Sequence, residues 1–126
     1  MPAVADLQNG YAFGQSIRPD QWGATVNGSS VDCRDCGPEV TCVVSAGESE
    51  GTSETLDVKL QESDDDSTYT DITGATMTQI GAAGHAHEVK TFYNRAKRYV
   101  RAVATIAGTS PDIDCCVTLF CPKTSY

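Results

Sequence analysis

Six cysteines are the residues most able to do chemistry, and they fall in two groups. Cys33-x-x-Cys36 with Cys42 forms the first; Cys115, Cys116 and Cys121 form the second. A CxxC followed by a later cysteine group is a zinc pattern, and His85 and His87 could join it. The second group fits that pattern poorly, because adjacent Cys115 and Cys116 on a strand point to opposite faces. A thioredoxin-like redox centre needs its CxxC between a strand and a helix. Here Gly37 and Pro38 follow, and no helix is expected. Structural disulfides in an oxidising setting fit best, with a bridge joining the first group to the second. Buried free thiols remain the other reading, and the even count leaves the pairing open.

Three further clusters have bland readings that outweigh the chemical ones. Asp64, Asp65 and Asp66, with Glu62 before them, could bind calcium, but the spacing and glycine of an EF-hand are missing. A solvated turn explains them better. His85 and His87 would share a strand face, yet no third ligand accompanies them. Lys90, Arg95, Lys97, Arg98 and Arg101 make one basic stretch in an acidic chain. Arg98 and Arg101 could meet acidic loops of a neighbour, or merely solvate a strand. No nucleophile elbow, phosphate loop, dinucleotide fingerprint or metalloprotease motif is present. An enzyme is therefore not expected, nor a cofactor or a resident metal.

The elements that must position these residues are strands. Leu56, Val58 and Leu60 alternate with Asp57, Lys59 and Gln61, a period of two with one face buried. An acidic turn follows, then Tyr69–Thr73, which is rich in types that suit a pleated surface. The stretch Thr55–Thr73 predicts a β-hairpin around which the rest packs. Further strands are expected at Ser30–Cys33, at Val40–Ala46 with Val40, Cys42 and Val44 inward, and at Thr76–Ile80 with Met77 and Ile80 inward. Others are expected at Glu88–Tyr93, at Arg98–Ile106 with Val100, Ala102, Ala104 and Ile106 on one face, and at Asp114–Cys121. Gly47–Ser53, Gly81–Gly84 and Gly108–Pro111 read as loops. Seven or eight short strands without a clear helix predict an antiparallel β-sandwich, jelly-roll or immunoglobulin-like, over residues 30–126.

Residues 1–29 read differently. Gly10, Gly14, Gly23 and Gly28, with Pro2 and Pro19, interrupt any regular element. An extended N-terminal arm is expected, with Tyr11, Phe13, Ile17 and Trp22 as anchors for a partner. The 126 residues fit one domain. Nine basic against seventeen acidic residues give a net charge of −8, which argues against nucleic-acid binding. No apolar run approaches the ~18 residues of a membrane helix, so no membrane partner is expected. Met1–Gly10 lacks the basic and apolar regions of an export signal.

At LDVKLQESDDDSTYTDITGATMTQI, and again at KRYVRAVATIAGTSP, the chain resembles a group of small tailed-phage virion proteins. Their layout is a strand ending in an acidic turn, a second strand of T-x-T-D-[IV]-x-G-A type, then a basic-aromatic strand and a G-x-S-P turn. Thr25–Leu119 follows it, including TVNGSSVD near its start. The resemblance implies a capsid decoration, cement or minor head protein. Its partner would be the major capsid protein, and it would sit on the shell as a homo-oligomer, a dimer or a trimer. It would be assembled in the host cytoplasm and then reside on the capsid surface of the virion. Release from a reducing cytoplasm into an oxidising medium would reconcile abundant cysteine with a missing signal. A tail or head-completion protein and a secreted carbohydrate-binding β-sandwich are the alternatives. The last would require an exposed row of aromatic side chains.

Overall fold

Two strands of 24 residues dominate the fold, β4 (Val40–Ser63) and β7 (Tyr99–Pro122). The computed structural model describes residues 10–81 and 84–124. The other strands are β1 (Tyr11–Trp22), β2 (Val26–Asn27), β3 (Val31–Asp32), β5 (Thr70–Thr76) and β6 (Ala86–Phe92). Among the described residues all strand pairings are antiparallel, and every element is a strand. The chain is all-β.

β4 and β7 pair from Thr41 opposite Phe120 to Ser63 opposite Tyr99. The register slips three times between Ala46 and Thr55. Such bulges bend a strand and sharpen its twist, so one ribbon supplies two layers. In the first layer, the early half of β4 pairs with β6 and with the late half of β7, which carries β1 at its edge. In the second, the late half of β4 pairs with β5 and with the early half of β7, which carries β2 and β3. The core lies between them. Val40, Cys42, Val44, Val117 and Leu119 come from the first layer; Leu56, Leu60, Val100, Ala102 and Ile106 come from the second.

The bend requires special backbone. Ser53, Ser110, Gly51 and Gly108 all have positive φ. Gly108 cannot be replaced cheaply, because a Cβ there would lie 2.8 Å from the Cα of Glu54. The expected loops at Gly47–Ser53 and Gly108–Pro111 are thus the irregular middle of the long ribbon. The expected strands either side of each are continuous with one another. The inward faces predicted for Val40–Ala46, Leu56–Leu60 and Val100–Ile106 are the buried ones. So is the organising hairpin present, with Gln61 opposite Asp71 and Glu62 opposite Thr70. Of the expected strand Thr76–Ile80, Thr76 ends β5, and the rest is an extended segment attached to β4 by Leu56–Ile80 and Met77–Val58 backbone bonds. Part of the Gly81–Gly84 loop lies outside the described residues.

The N-terminal arm is corrected where the structure describes it. Tyr11–Trp22 is β1, paired with β7 from Pro122 to Ile113, and Val26–Asn27 also pairs with β7. Ile17 is 1% exposed and belongs to the core rather than to a docking arm. Residues 1–9 of the expected arm lie outside the described residues. Ser16 latches β1 to the second layer. Its Oγ accepts the Ala102 N–H at 2.8 Å and donates to the Ser29 carbonyl at 2.7 Å. Gly28 passes so close that a Cβ there would strike Ser16 Oγ and would lie 2.6 Å from the Ser16 carbonyl oxygen.

Candidate functional site

Strand pairing places Phe13, Phe120, Thr41 and Thr91 in one row across the first layer. Gln15, Thr118, Val43 and Val89 form the next row. In β4 and β7 the alternate residues Val40, Cys42, Val44, Val117, Leu119 and Cys121 are buried, so the residues between them, and those opposite these in β1 and β6, lie on the outer side of the layer. The Thr41 and Thr91 hydroxyls hydrogen-bond each other at 2.8 Å, which confirms that they share a face. Tyr11 lies edge-on to Phe120, their rings 6.0 Å apart. Phe13, Val89 and Tyr93 are 59%, 58% and 69% exposed. No Asp, Glu, Lys or Arg occupies either row. In a chain of net charge −8, a broad uncharged face of aromatic, β-branched and threonine side chains is conspicuous.

The outer face of the second layer is its opposite. Lys59 pairs with Asp71 at 3.1 Å, and Gln61 donates to Asp71 at 2.9 Å. Gln79 holds Asp57 at 3.0 Å. Arg101 donates to the Gln61 side-chain amide oxygen Oε1 at 2.8 Å and lies 4.0 Å over the Tyr69 ring. Hydrogen bonds from Gln61 and Lys59 hold the Asp71 carboxyl below the usual carboxylate range. This side is charged and knit by one ion pair and several side-chain hydrogen bonds.

The residues singled out in the sequence therefore separate. Tyr11 and Phe13 lie on the uncharged face. Trp22 packs partly against the core; its indole N–H donates to the Arg18 carbonyl at 3.2 Å while the Arg18 guanidinium covers its ring. Arg98 is engaged at home: it grips Asp32 through two bonds of 2.9 and 2.8 Å. Those bonds depress the Asp32 pKa. Arg98 and Arg101 are thus bound within the chain. The face extends to Phe120, Val43, Thr118 and Val89, which sequence reading passed over. Alternation in Val40–Ala46 implied an outward place for Val43 alone; the faces of the strands that carry Val89, Thr118 and Phe120 were not assigned, and their adjacency depends on a strand order not visible in the chain.

Cys36 and Cys121 form a disulfide that ties the Cys36–Pro38 loop to the end of β7. It joins the two cysteine groups as expected. Cys33, Cys42 and Cys115 are buried thiols, and Cys116 is a half-buried one on the outer side of β7. Burial pushes the Cys42 thiol up to about 12, and those of Cys33 and Cys115 to about 11. These are inert core side chains. Among the described residues, no three His, Cys, Asp or Glu side chains are grouped to hold a metal ion. The acidic turn is built as a turn: Asp65 Oδ1 accepts the Ser67 and Thr68 N–H groups at 3.0 and 2.9 Å.

No family model and no curated protein matches the chain. Solved structures do match its fold. The PBSX exported protein XepA shares it over the whole chain, with a TM-score of 0.61 and 14% identity. The chain spans only 41% of the length of XepA. The SPBc2 prophage-derived protein YomS matches over 88% of this chain and 91% of its own, with a TM-score of 0.50 and 12% identity. The dimeric latent PorU from Porphyromonas gingivalis matches over 93% of this chain and 13% of its own, with a TM-score of 0.50 and 12% identity. At such identities the likeness is one of fold: this all-β fold occurs in prophage-derived proteins.

Proposed function

We propose that the chain is a structural protein of a bacteriophage virion, which binds the outer surface of the capsid and bridges neighbouring capsid subunits. The uncharged face of the first layer is the observation that carries this reading. It offers apolar area without the cost of stripping water from charges, and its aromatic members are of the types that concentrate binding energy. The charged second layer would then face solvent. A fold shared with two prophage-derived proteins supports a phage setting. The Cys36–Cys121 bridge suits a particle that ends in an oxidising medium. The partner is the major capsid protein, and no catalysis is involved. Binding the assembled shell and not free subunits would stabilise the shell by mass action.

Tyr11, Phe13 and Phe120 are also the aromatic cluster that a carbohydrate-binding module would need. Sugar hydroxyls demand several convergent hydrogen-bonding groups beside the rings. On the face itself threonines and Gln15 adjoin them, while Asp32, Arg34, Asp35 and Lys123 line a groove beside Tyr11 and Phe13; the apolar character of the face favours a protein surface. The test is co-sedimentation of purified protein with intact particles. Binding in a fixed ratio to the major shell protein is expected, and Phe120→Asp should weaken it about 30-fold or more while leaving the melting temperature nearly unchanged. Absence of the protein from the particle fraction would overturn the reading. Binding to a polysaccharide that Phe13→Ala abolishes would replace it with the carbohydrate one.

A further inference from the structure

Among the described residues, the early half of β1 is an open sheet edge, and none of its own side chains is charged. The Lys123 N–H donates to the Gly10 carbonyl at 2.8 Å, and Tyr11, Ala12, Phe13, Gly14 and Gln15 oppose Pro122 to Thr118 in unbroken register. Alternate residues of an antiparallel pair exchange hydrogen bonds. Gly10, Ala12 and Gly14 therefore bond to β7. Tyr11, Phe13 and Gln15 turn their N–H and C=O groups to the other side. Among the described residues, the first backbone bond on that side is from the Ser29 N–H to Ser16 O.

Natural proteins blunt such edges with charges, proline or bulges. β1 uses all three in its late half: Arg18, Pro19 and Asp20, with register slips between Gln15 and Ile17 and between Ile17 and Asp20. Tyr11–Gln15 has none of them. We propose that this segment pairs with the same segment of a second copy, antiparallel across a twofold axis at Phe13. Tyr11 then opposes Gln15 of the other copy, and Phe13 opposes Phe13.

Four features favour a second copy as the occupant. The free groups at 11, 13 and 15 are self-complementary about Phe13. Two copies of net charge −8 repel each other, so they meet best along a segment that itself has no charged side chain. The inward side chains of an incoming strand would be Ala12 and Gly14, small enough to pass over the groove beside β1 that Ser30, Val31, Asp32, Arg34, Asp35 and Lys123 line, where two acidic and two basic side chains balance. Lastly, pairing would join two uncharged faces into one continuous surface of twice the width. The dimer does not rest on the capsid reading, though it would give a shell-binding protein avidity.

The experiment is light scattering coupled to size-exclusion chromatography of the full chain over a dilution series. A dimer is expected. Gln15→Pro removes an edge N–H from each copy but leaves every bond to β7 and the Tyr11–Phe13–Phe120 cluster in place. It should weaken the dimer about 30-fold or more, from two lost hydrogen bonds. As a second measurement independent of that variant's folding, Phe13→Cys should form a 13–13 cross-link on mild oxidation, since Cα atoms of such a pair lie about 5.5 Å apart. Ser45→Cys, on the same face but away from the edge, should not. A chain monomeric throughout, or a dimer that forms without the 13–13 link, overturns the proposal. No particle enters either measurement, so failure here and failure of co-sedimentation are separate results.

Discussion

Replacing Ser16 by alanine would test how the two layers are latched. The hydroxyl satisfies two backbone groups from different parts of the chain, the Ala102 N–H at 2.8 Å and the Ser29 carbonyl at 2.7 Å. Ala102 is fully buried, so its N–H could not turn to water in the variant. Leaving a buried donor unpaired costs about 1–3 kcal/mol, and losing the second bond about 0.5–1.5 kcal/mol more. Removing one oxygen opens too small a space to add much. The expected loss is about 2–4 kcal/mol, or on the order of 10 °C in melting temperature for a domain of this size. Urea unfolding followed by circular dichroism measures it, with exposed Ser45→Ala as a control that should change stability by less than about 0.5 kcal/mol. Gly28→Ala drives a methyl group into the same hydroxyl. Combined with Ser16→Ala it should cost less than the sum of the two, because both break one latch. A Ser16→Ala loss below about 0.5 kcal/mol, or strict additivity with Gly28→Ala, would refute the latch.

Other outcomes follow from the cysteines and the acidic turn. Cys36 and Cys121 are 85 residues apart, so cutting their bridge by Cys36→Ser should cost about 2–5 kcal/mol in unfolding free energy; an unchanged denaturation midpoint would mean that no bridge forms. A thiol reagent at mild alkaline pH should modify no more than Cys116 in the native protein, since Cys33, Cys42 and Cys115 are buried. Four thiols should then react after unfolding without reductant, and rapid native modification of two or more would contradict the burial. N–H groups of Thr68 and Ser67 hold the Asp65 carboxyl down at about 2, against an ordinary 3.8. Its stabilising effect should be complete above about pH 4 and vanish as the pH falls toward 2. Asp65→Asn should flatten that part of the pH–stability curve, and an identical acid limb in both proteins would show that the turn contributes nothing.

Much of the second layer was legible in the chain because its strands alternate without interruption. Leu56, Val58 and Leu60 against Asp57, Lys59 and Gln61 need no tertiary information to assign a buried face. β1 was not legible. Its pattern breaks at the bulge after Gln15, so that Phe13 points out and Ile17 points in, and its glycine and proline resemble loop punctuation. Gly14 is instead a packing requirement, since a Cβ there would lie 3.1 Å from Val31 Cγ2. The long strands hid for a similar reason. Glycine and serine at positive φ are normal loop signals, yet here they bend a ribbon without ending it. The cross-group disulfide was anticipated from its two cysteine groups, while the partner within each group depended on which thiol sat at the loop. The uncharged face is assembled from four strands, two of them at opposite ends of the sequence, and no window of the chain contains it.

The shared ribbon also dictates when the molecule can fold. Thr41 pairs with Phe120 and Phe13 pairs with Phe120, so the first layer has no centre until the final strand has been synthesised. The second layer depends on the same strand, since Leu56 needs Ile106 and Glu62 needs Val100. Neither layer can finish alone and wait for the other. Pairings this distant in sequence close slowly. During translation β1 emerges early and remains without its partner until β7 arrives, while the first half of β4 has only β6 to pair with before then. The nascent chain thus carries the neutral Tyr11–Ile17 segment exposed for most of its synthesis, and the net negative charge of the chain around it is the feature that keeps such intermediates apart.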